Sequence, residues 1–307
     1  MAGPLDGIRI VDFTTMIAGP YAAMILADQG ADVIKIEAPI RSDHVRPAGR
    51  SLRHFSAAFL NNNRNKRSLS VDAKTEAGRE LMLKLTQNAD VFIQNYRPGV
   101  MACLGIDEPQ LRTLNPRLIY VSMSGWGESG PYAHKPVYDP IIQALSGLTS
   151  VQGGSDQARP RLIRTILPDK LTGITAAQAV TAALVSRGLT GQGQHVRVSM
   201  LDAVVAFMWS SDMGGQTFVG EEVSSERAAT FIDLIYETKS DYISVSVMSD
   251  EQWRGLCEAV GHPEWLEDER FTTAAGRDRH ANERLELTQS ALLDKNASEW
   301  LKILDAA

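Results

Sequence analysis

The chain of 307 residues contains little cysteine and no long apolar run. Cys103 and Cys257 are too few and too isolated for a disulfide framework or a zinc site, so no metal site is predicted. No stretch reaches the roughly 18 apolar residues that cross a bilayer, and the N-terminus lacks the regions of a signal peptide. The formal net charge of −6 argues against a general nucleic-acid binder. These absences predict a cytoplasmic globular protein without nucleic-acid or membrane partners.

Strands and helices alternate along the first two thirds of the chain. An apolar strand at Ile8 to Phe13, a helix from about Gly19 to Asp28 and a strand at Asp32 to Glu37 form one β-α-β unit. The unit lacks G-x-G-x-x-G, so the usual dinucleotide fingerprint is absent. The pattern predicts an α/β fold with a Rossmann-like open parallel sheet. We expect a large domain at 1–200, a linker at 201–228 and a small α+β domain at 229–307.

The stretch from Arg164 to Asp202 contains a carboxylate, a long helix, a glycine turn and a strand. Pro168 disfavours helix at the residue before it, so the helix is predicted to begin just after Asp169. Arg187 and Gly188 are a signal for its C-terminal end. Two interpretations of Asp169 are open at this point. It could be an N-cap for free backbone amides, or a carboxylate nucleophile at the positive end of a buried helix.

Polar groups follow the predicted strands where an α/β sheet binds ligands. Asn95, Tyr96 and Arg97 come directly after the apolar strand at 90–94. The chain ahead of the first helix offers free backbone N–H groups to an anion around Ala18 and Gly19. The glycine-rich segment 125–131 is either a plain connection or a wall that a ligand approaches closely. The basic segment 61–68 is interpreted as a solvated loop.

Five blocks of the sequence resemble, in family order, the family III CoA-transferases, the CaiB/BaiF group that includes formyl-CoA and carnitinyl-CoA transferases. The blocks are VDFTTMIAGPYAAMILADQGADVIKIEAP, NNNRNKRSLSVDAKTEAGRELMLKL, NYRPGVMACLGID, GWGESGPYAHKPVYDPIIQALSGL and DKLTGITAAQAVTAALVSRGLTGQGQHVRVSMLD. Five ordered blocks are far more specific than one short motif. The resemblance runs from Leu5 to the last residue.

The resemblance implies the site residues. Asp169 falls where the family has its catalytic aspartate. The first loop, which in the family approaches the CoA thioester, supplies Ile17, Ala18 and Gly19. Candidates for holding the CoA adenosine and phosphates are Arg46, Lys74, Asn95, Tyr96, Arg97 and Lys135. Weaker candidates for the acyl pocket are Trp126, Gly127 and Tyr138, of which Trp126 and Tyr138 fit loop packing equally well.

The implied activity is transfer of CoA from an acyl-CoA to a carboxylic acid through an aspartyl-CoA thioester. Acyl-CoA and the acid are substrates, and no tightly bound cofactor is expected. The implied quaternary structure is a homodimer of ring-shaped, interlocked subunits.

Two other functions stay open on the sequence. One is an acyl-CoA racemase or lyase of the same family. The racemase branch has a histidine for α-proton transfer where this chain has Val137-Tyr138-Asp139, with no imidazole to act as base. A shortened chain that binds CoA without turnover is the other, because full-length members continue by about a hundred residues that return to the large domain. Cys103 replaces an arginine of the family pattern, which leaves one phosphate contact open.

Overall fold

The computed structural model describes residues 3–40, 42–153, 159–213, 217 and 234–307. The chain divides into two compact units, Met1–Ala229 and Thr230–Ala307. Within the described part of the chain, the first unit holds the parallel sheet and the second is a smaller α+β unit. Much of the predicted linker, residues 214–216 and 218–228, lies outside the described residues.

A parallel sheet with its helices forms the first unit. Its strands and the short hairpin between them are β1 (Arg9–Phe13), β2 (Asp32–Glu37), the hairpin β3 (Ser51–Leu52) and β4 (Phe55–Ser56), β5 (Lys66–Ser70), β6 (Val91–Gln94), β7 (Ile119–Ser124) and β8 (His195–Ser199). In the described chain the sheet has six strands in the order β5-β2-β1-β6-β7-β8, every neighbouring pair being parallel. This is the doubly wound order that reverses between its first and fourth strands, here β1 and β6. The predicted Rossmann-like α/β sheet is therefore confirmed.

Helices cover both faces of the sheet. The described helices of this unit are α1 (Ala18–Asp28), α2 (Ala57–Asn63), α3 (Glu76–Gln87), α4 (Val100–Leu104), α5 (Glu108–Leu114), α6 (Asp139–Leu145), α7 (Leu148–Val151), α8 (Leu167–Thr190) and α9 (Met200–Trp209). Ile10 of β1 packs with α1 and α8 on one face, whereas its neighbour Val11 packs with α3 to α5 on the other. Because both faces are covered, the central strands β1, β6 and β7 are buried almost throughout, whereas the edge strand β5 is mostly exposed.

The long helix α8 differs from the sequence prediction at both ends. It begins at Leu167, so Pro168 lies in its first turn, where a missing N–H costs nothing. It also continues past Gly188 to Thr190, and Gly191 takes the left-handed cap with φ of 76°. Arg187 does lie in the last turn, as predicted, and its side chain pairs with Asp90, 2.8 Å away.

The segment 61–68 is mostly exposed, as predicted, but it is not a loop. Residues 61–63 end helix α2, and the chain enters β5 at Lys66. The Lys66 side chain is buried, because its Nζ pairs with Asp12 of β1 at 2.9 Å. A buried amine needs such a carboxylate, and the partner lies far away in the sequence.

The second unit combines a short hairpin with helices. Its elements are β9 (Ile235–Glu237), β10 (Tyr242–Ser244), α10 (Asp250–Val260), a 3₁₀ turn (Pro263–Leu266), α11 (Ala274–Arg279), α12 (Ala281–Leu292) and α13 (Ala297–Leu304). The predicted N-cap at Ser249 is confirmed, and Gln252 completes a capping box. Cys257 is fully buried in the core, and burial raises the pKa of its thiol to about 11. None of the described helices combines the length and the apolar character that a bilayer crossing requires.

Candidate active site

A cavity lies where the order of the sheet reverses. The carboxyl ends of β1 and β6 meet there, and the Asn95 side chain ties their following residues together. Its Oδ1 accepts from the Thr15 N–H at 2.9 Å, and its Nδ2 donates to the Thr15 carbonyl at 2.7 Å. A cavity of about 580 Å³ opens at this edge, a size typical of small-molecule sites. The topology thus brings the loop after β1 and the loop after β6 into one wall.

Asp169 projects into this cavity from the first turn of α8. Its carboxylate is partly buried, and Ala18 at the start of α1 lines the same cavity. Burial, with the nearby negative charge of Asp139, raises the pKa of Asp169 to about 6, while the Ala18 N–H opposes the rise. The N-cap interpretation is wrong, because Ile166 holds the N-cap position and no side chain caps the helix.

Asp139 is a second carboxylate of the site, and the sequence reasoning missed it. It is the first residue of α6 and is 6% exposed. Its Oδ2 accepts from the Asp169 N–H at 3.3 Å, and its Oδ1 accepts from Gln143 Nε2 at 2.7 Å. Gln143 Oε1 in turn accepts from the Ile163 N–H at 2.9 Å. Asp139 therefore joins α6 to the start of α8. The sequence signal that could have indicated this residue is the aspartate between Tyr138 and Pro140.

Comparison with known proteins decides the family. The model of CoA-transferase family III matches residues 5–307. This chain belongs to CoA-transferase family III. The predicted resemblance is thereby confirmed. The protein is an enzyme that transfers CoA between an acyl-CoA and a carboxylic acid.

Relatives and solved structures agree with the family. Acetyl-CoA:oxalate CoA-transferase of Acetobacter aceti is 34% identical over 99% of this chain and 79% of that protein. Succinate–glutarate CoA-transferase of Agrobacterium fabrum is 34% identical over 97% of this chain and 76% of that protein. The crystal structure of Rv3272 from Mycobacterium tuberculosis has a TM-score of 0.87 and 35% identity, over 99% of this chain and 82% of that one.

The first loop of this family III enzyme forms the cavity wall nearest Asp169. Ile17 and Ala18 line the cavity, as the resemblance implies for the loop near the thioester. Gly19 lies one residue further into α1, outside the cavity lining. A side chain at Gly19 would come within 2.5 Å of Thr14 Cβ, so the glycine lets α1 start close to the end of β1.

The predicted CoA-binding residues separate into two groups. Asn95, Tyr96, Arg97 and Lys135 line the cavity. Arg46 and Lys74 lie outside its lining. The Arg46 Nε donates to Glu37 at 2.7 Å and its guanidinium lies over the Phe59 ring. Lys74 is exposed in the turn before α3. Their predicted contacts with CoA stay predictions.

The predicted acyl-pocket residues lie in the loop after β7. Trp126 and Tyr138 line the cavity, and Gly127 follows just outside the lining with φ of 88°. The Trp126 Nε1 donates to the Lys135 carbonyl at 3.1 Å, which closes the loop upon itself. Further apolar lining residues, not predicted from the sequence, are Met16, Met123, Val137, Leu162, Ile163, Ile166 and Met200.

Proposed function

We propose that Asp169 is the nucleophile of the transfer and that CoA is carried between the two acids as an aspartyl-CoA thioester. The supporting observation is a partly buried carboxylate that faces a cavity and has a pKa raised by burial to about 6. At neutral pH such a group is largely ionised, yet it has lost part of its hydration. A carboxylate with less water around it is a better nucleophile than one in solution.

The proposed reaction has two half-reactions, and each consists of two acyl transfers. Asp169 attacks the acyl-CoA carbonyl, the C–S bond breaks, and a mixed anhydride and the CoA thiolate form. The thiolate then attacks the aspartyl carbonyl, which releases the first acid as a carboxylate and leaves CoA on Asp169. A second carboxylate attacks this thioester, giving a new mixed anhydride and the CoA thiolate again. The thiolate attacks the new acyl carbonyl, and the second acyl-CoA and free Asp169 result.

The surrounding groups have separate parts in this proposal. Each step passes through an oxyanion, and the Ala18 N–H at the start of α1 is the group that we propose to stabilise it. Arg97 and Lys135 on the cavity wall suit the phosphates of CoA, because both are cations that donate hydrogen bonds to phosphate oxygens. Arg46 and Lys74 are proposed for the parts of CoA that extend beyond the cavity.

Trapping the intermediate tests the nucleophile. The enzyme is incubated with an acyl-CoA and no acceptor, treated with hydroxylamine, digested and analysed by mass spectrometry. We expect a hydroxamate at Asp169 and none in Asp169→Asn. Asp202→Asn is the matched control, because Asp202 also lies in the first turn of a helix, α9, but is exposed. Labelling of another carboxylate, or full transfer activity in Asp169→Asn, would refute the proposal. Solvent deuterium entering the α-carbon without an acceptor acid would instead favour a racemase.

A truncated substrate tests the cationic residues. Arg97→Ala and Lys74→Ala are each expected to raise KM for an acyl-CoA but not for the matching acyl-pantetheine, which lacks the nucleotide phosphates. Arg67→Ala is the control, because Arg67 is exposed and pairs with Asp32 at 2.7 Å outside the cavity. An equal rise for both substrates would mean that the residue shapes the wall and does not hold phosphate.

We further propose that two ring-shaped subunits interlock as a homodimer. In support, α8 leaves large apolar side chains uncovered, Val185 being 66% and Leu189 85% exposed in the single chain. Tagged and untagged dimers are mixed under native conditions and after refolding together. Interlocked dimers should exchange subunits only after refolding, whereas exchange in native buffer, or a monomer in sedimentation, would contradict the proposal. The cytoplasmic location stays a prediction.

A further inference from the structure

The turn between β1 and α1 has no regular backbone pairing at the residues next to Asp169, and side chains hold it instead. Met16 has a φ of 68°, in the left-handed region that a non-glycine residue rarely adopts. Asn95 fixes Thr15 on both its N–H and its carbonyl. Such a conformation persists only where its surroundings impose it, which directs attention to the groups that hold Met16.

A buried ion pair holds the other side of this turn. Lys35 of β2 and Asp43 are 2% and 0% exposed at their side chains, and Lys35 Nζ lies 3.1 Å from Asp43 Oδ2. Lys35 Nζ also donates to the Thr14 carbonyl at 3.0 Å. The other oxygen of Asp43, Oδ1, accepts from the Met16 N–H at 3.1 Å. The pair therefore binds the turn at two backbone atoms, one before and one after Thr15.

Asp43 reaches a second wall of the cavity as well. Its Oδ1 also accepts from the Val45 N–H at 3.1 Å, which fixes the chain beside His44, a lining residue. Desolvating a lysine and an aspartate is costly, and hydrophobic side chains of similar volume often serve stability as well or better. A contribution to stability therefore does not explain why a charged pair occupies this position. Its hydrogen bonds to the turn do explain it.

We infer that Asp43, held by Lys35, is a positioning residue that fixes the turn at Thr14–Ile17 and so points the Ala18 N–H at the Asp169 carboxylate. The inference deepens the proposed role of Asp169. Neither member of the pair lines the cavity, so both act through the backbone of the turn. The Ala18 N–H from α1 lowers the pKa of Asp169 and the carboxylate of Asp139 from α6 raises it, while His44, Arg97 and Lys135 line the same cavity. If the Ala18 N–H is displaced, it no longer offsets the repulsion between the carboxylates of Asp139 and Asp169.

The test compares Asp43→Asn and the double variant Lys35→Met/Asp43→Asn with Asp90→Asn. The double variant leaves no unpaired buried charge, which favours a folded protein. Asp90 is a matched control, since it also joins a cation and a backbone amide, Arg187 at 2.8 Å and the Arg9 N–H at 2.8 Å, outside the cavity lining.

Two readouts separate positioning from a merely structural role. In both Asp43 variants kcat should fall by up to about 100-fold with little change in KM. The pKa of Asp169 should rise by about one unit, because a hydrogen bond to its ionised form weakens. That pKa is measured without turnover, from the pH dependence of the stability difference between each protein and its Asp169→Asn form. Asp90→Asn should move neither quantity.

The inference is overturned if the folded variants keep the wild-type kcat, or if kcat falls while the pKa of Asp169 stays in place. It is also overturned if the Met16 amide of the wild-type protein exchanges its hydrogen rapidly, since a buried acceptor should protect it. Failure of Asp169 as nucleophile would appear differently. Asp169→Asn would then keep its activity, while the pKa of Asp169 would still respond to Asp43.

Discussion

Asp169→Asn should stabilise the protein above pH 6 while abolishing transfer. In the folded protein the pKa of Asp169 is raised from 3.8 to about 6, chiefly by burial. The folded state therefore holds this proton more tightly than the unfolded state does. As pH rises from about 4 to about 6, the carboxyl must ionise in a site that disfavours its charge, and stability is lost. Asparagine never ionises, and its side-chain oxygen can still accept from the Ala18 N–H.

The size of the gain follows from the shift. A rise of about two pKa units corresponds to about 3 kcal/mol, and partial exposure of the carboxylate reduces it, so we expect about 1–3 kcal/mol at pH 8. The gain should become small near pH 4 and disappear below about pH 3, where both states are protonated. An ionised aspartate in a first helical turn normally adds about 0.5 kcal/mol of stability, so a gain on its removal indicates desolvation.

Urea unfolding of the wild type, Asp169→Asn and Asp202→Asn, at about pH 4.5 and about pH 8, measures the effect. The exposed Asp202, in the first turn of α9, should give no gain at either pH. Equal stability of the wild type and Asp169→Asn at pH 8, or a gain that is the same at both pH values, would refute the argument that burial strains this carboxylate.

Three further predictions concern the same site. Asp139→Asn removes the like charge beside Asp169, so the acid limb of kcat/KM should move below its wild-type position near pH 6; an unchanged pH profile would contradict this. Gly173→Ala in α8 places a Cβ 2.9 Å from the Ala18 carbonyl, so stability and kcat should both fall, whereas Gly188→Ala in the same helix meets nothing within 4 Å and should gain up to about 1 kcal/mol. Chloride or inorganic phosphate should compete with acyl-CoA in the wild type but less in Arg97→Ala, as measured by inhibition at constant ionic strength.

The regular elements could be predicted from the sequence because their signals are local. The strand at Asp32–Glu37 and the helix at Ala297–Leu304 appear with the predicted bounds. Apolar runs bounded by turn residues specify such segments without reference to the rest of the chain. The parallel sheet followed from their alternation, and the family followed from five ordered blocks.

The electrostatics of the site could not be predicted, because they depend on groups that are distant in sequence. Asp139 lies 30 positions before Asp169, and no spacing rule brings α6 beside the start of α8. Lys66 belongs to a basic and polar segment, yet its side chain is buried because its Nζ pairs with Asp12. That partner lies 54 positions away in the sequence, so the segment itself gives no sign of the pairing. The pairing of Arg46 with Glu37 was likewise not predicted, because no local signal in the sequence indicates it.

The two kinds of backbone around the cavity have consequences for how the enzyme can diverge. Asp169 and the Ala18 amide belong to the first turns of two packed helices, and a helix of 24 residues such as α8 shifts only as a rod. Much of the apolar wall, by contrast, comes from the irregular segments 125–138 and 162–166. Substitutions and insertions in these loops can reshape the space for the acid without displacing the reacting carboxylate. The preference for the carboxylic acid can thus change through single loop mutations, each of which leaves the enzyme active.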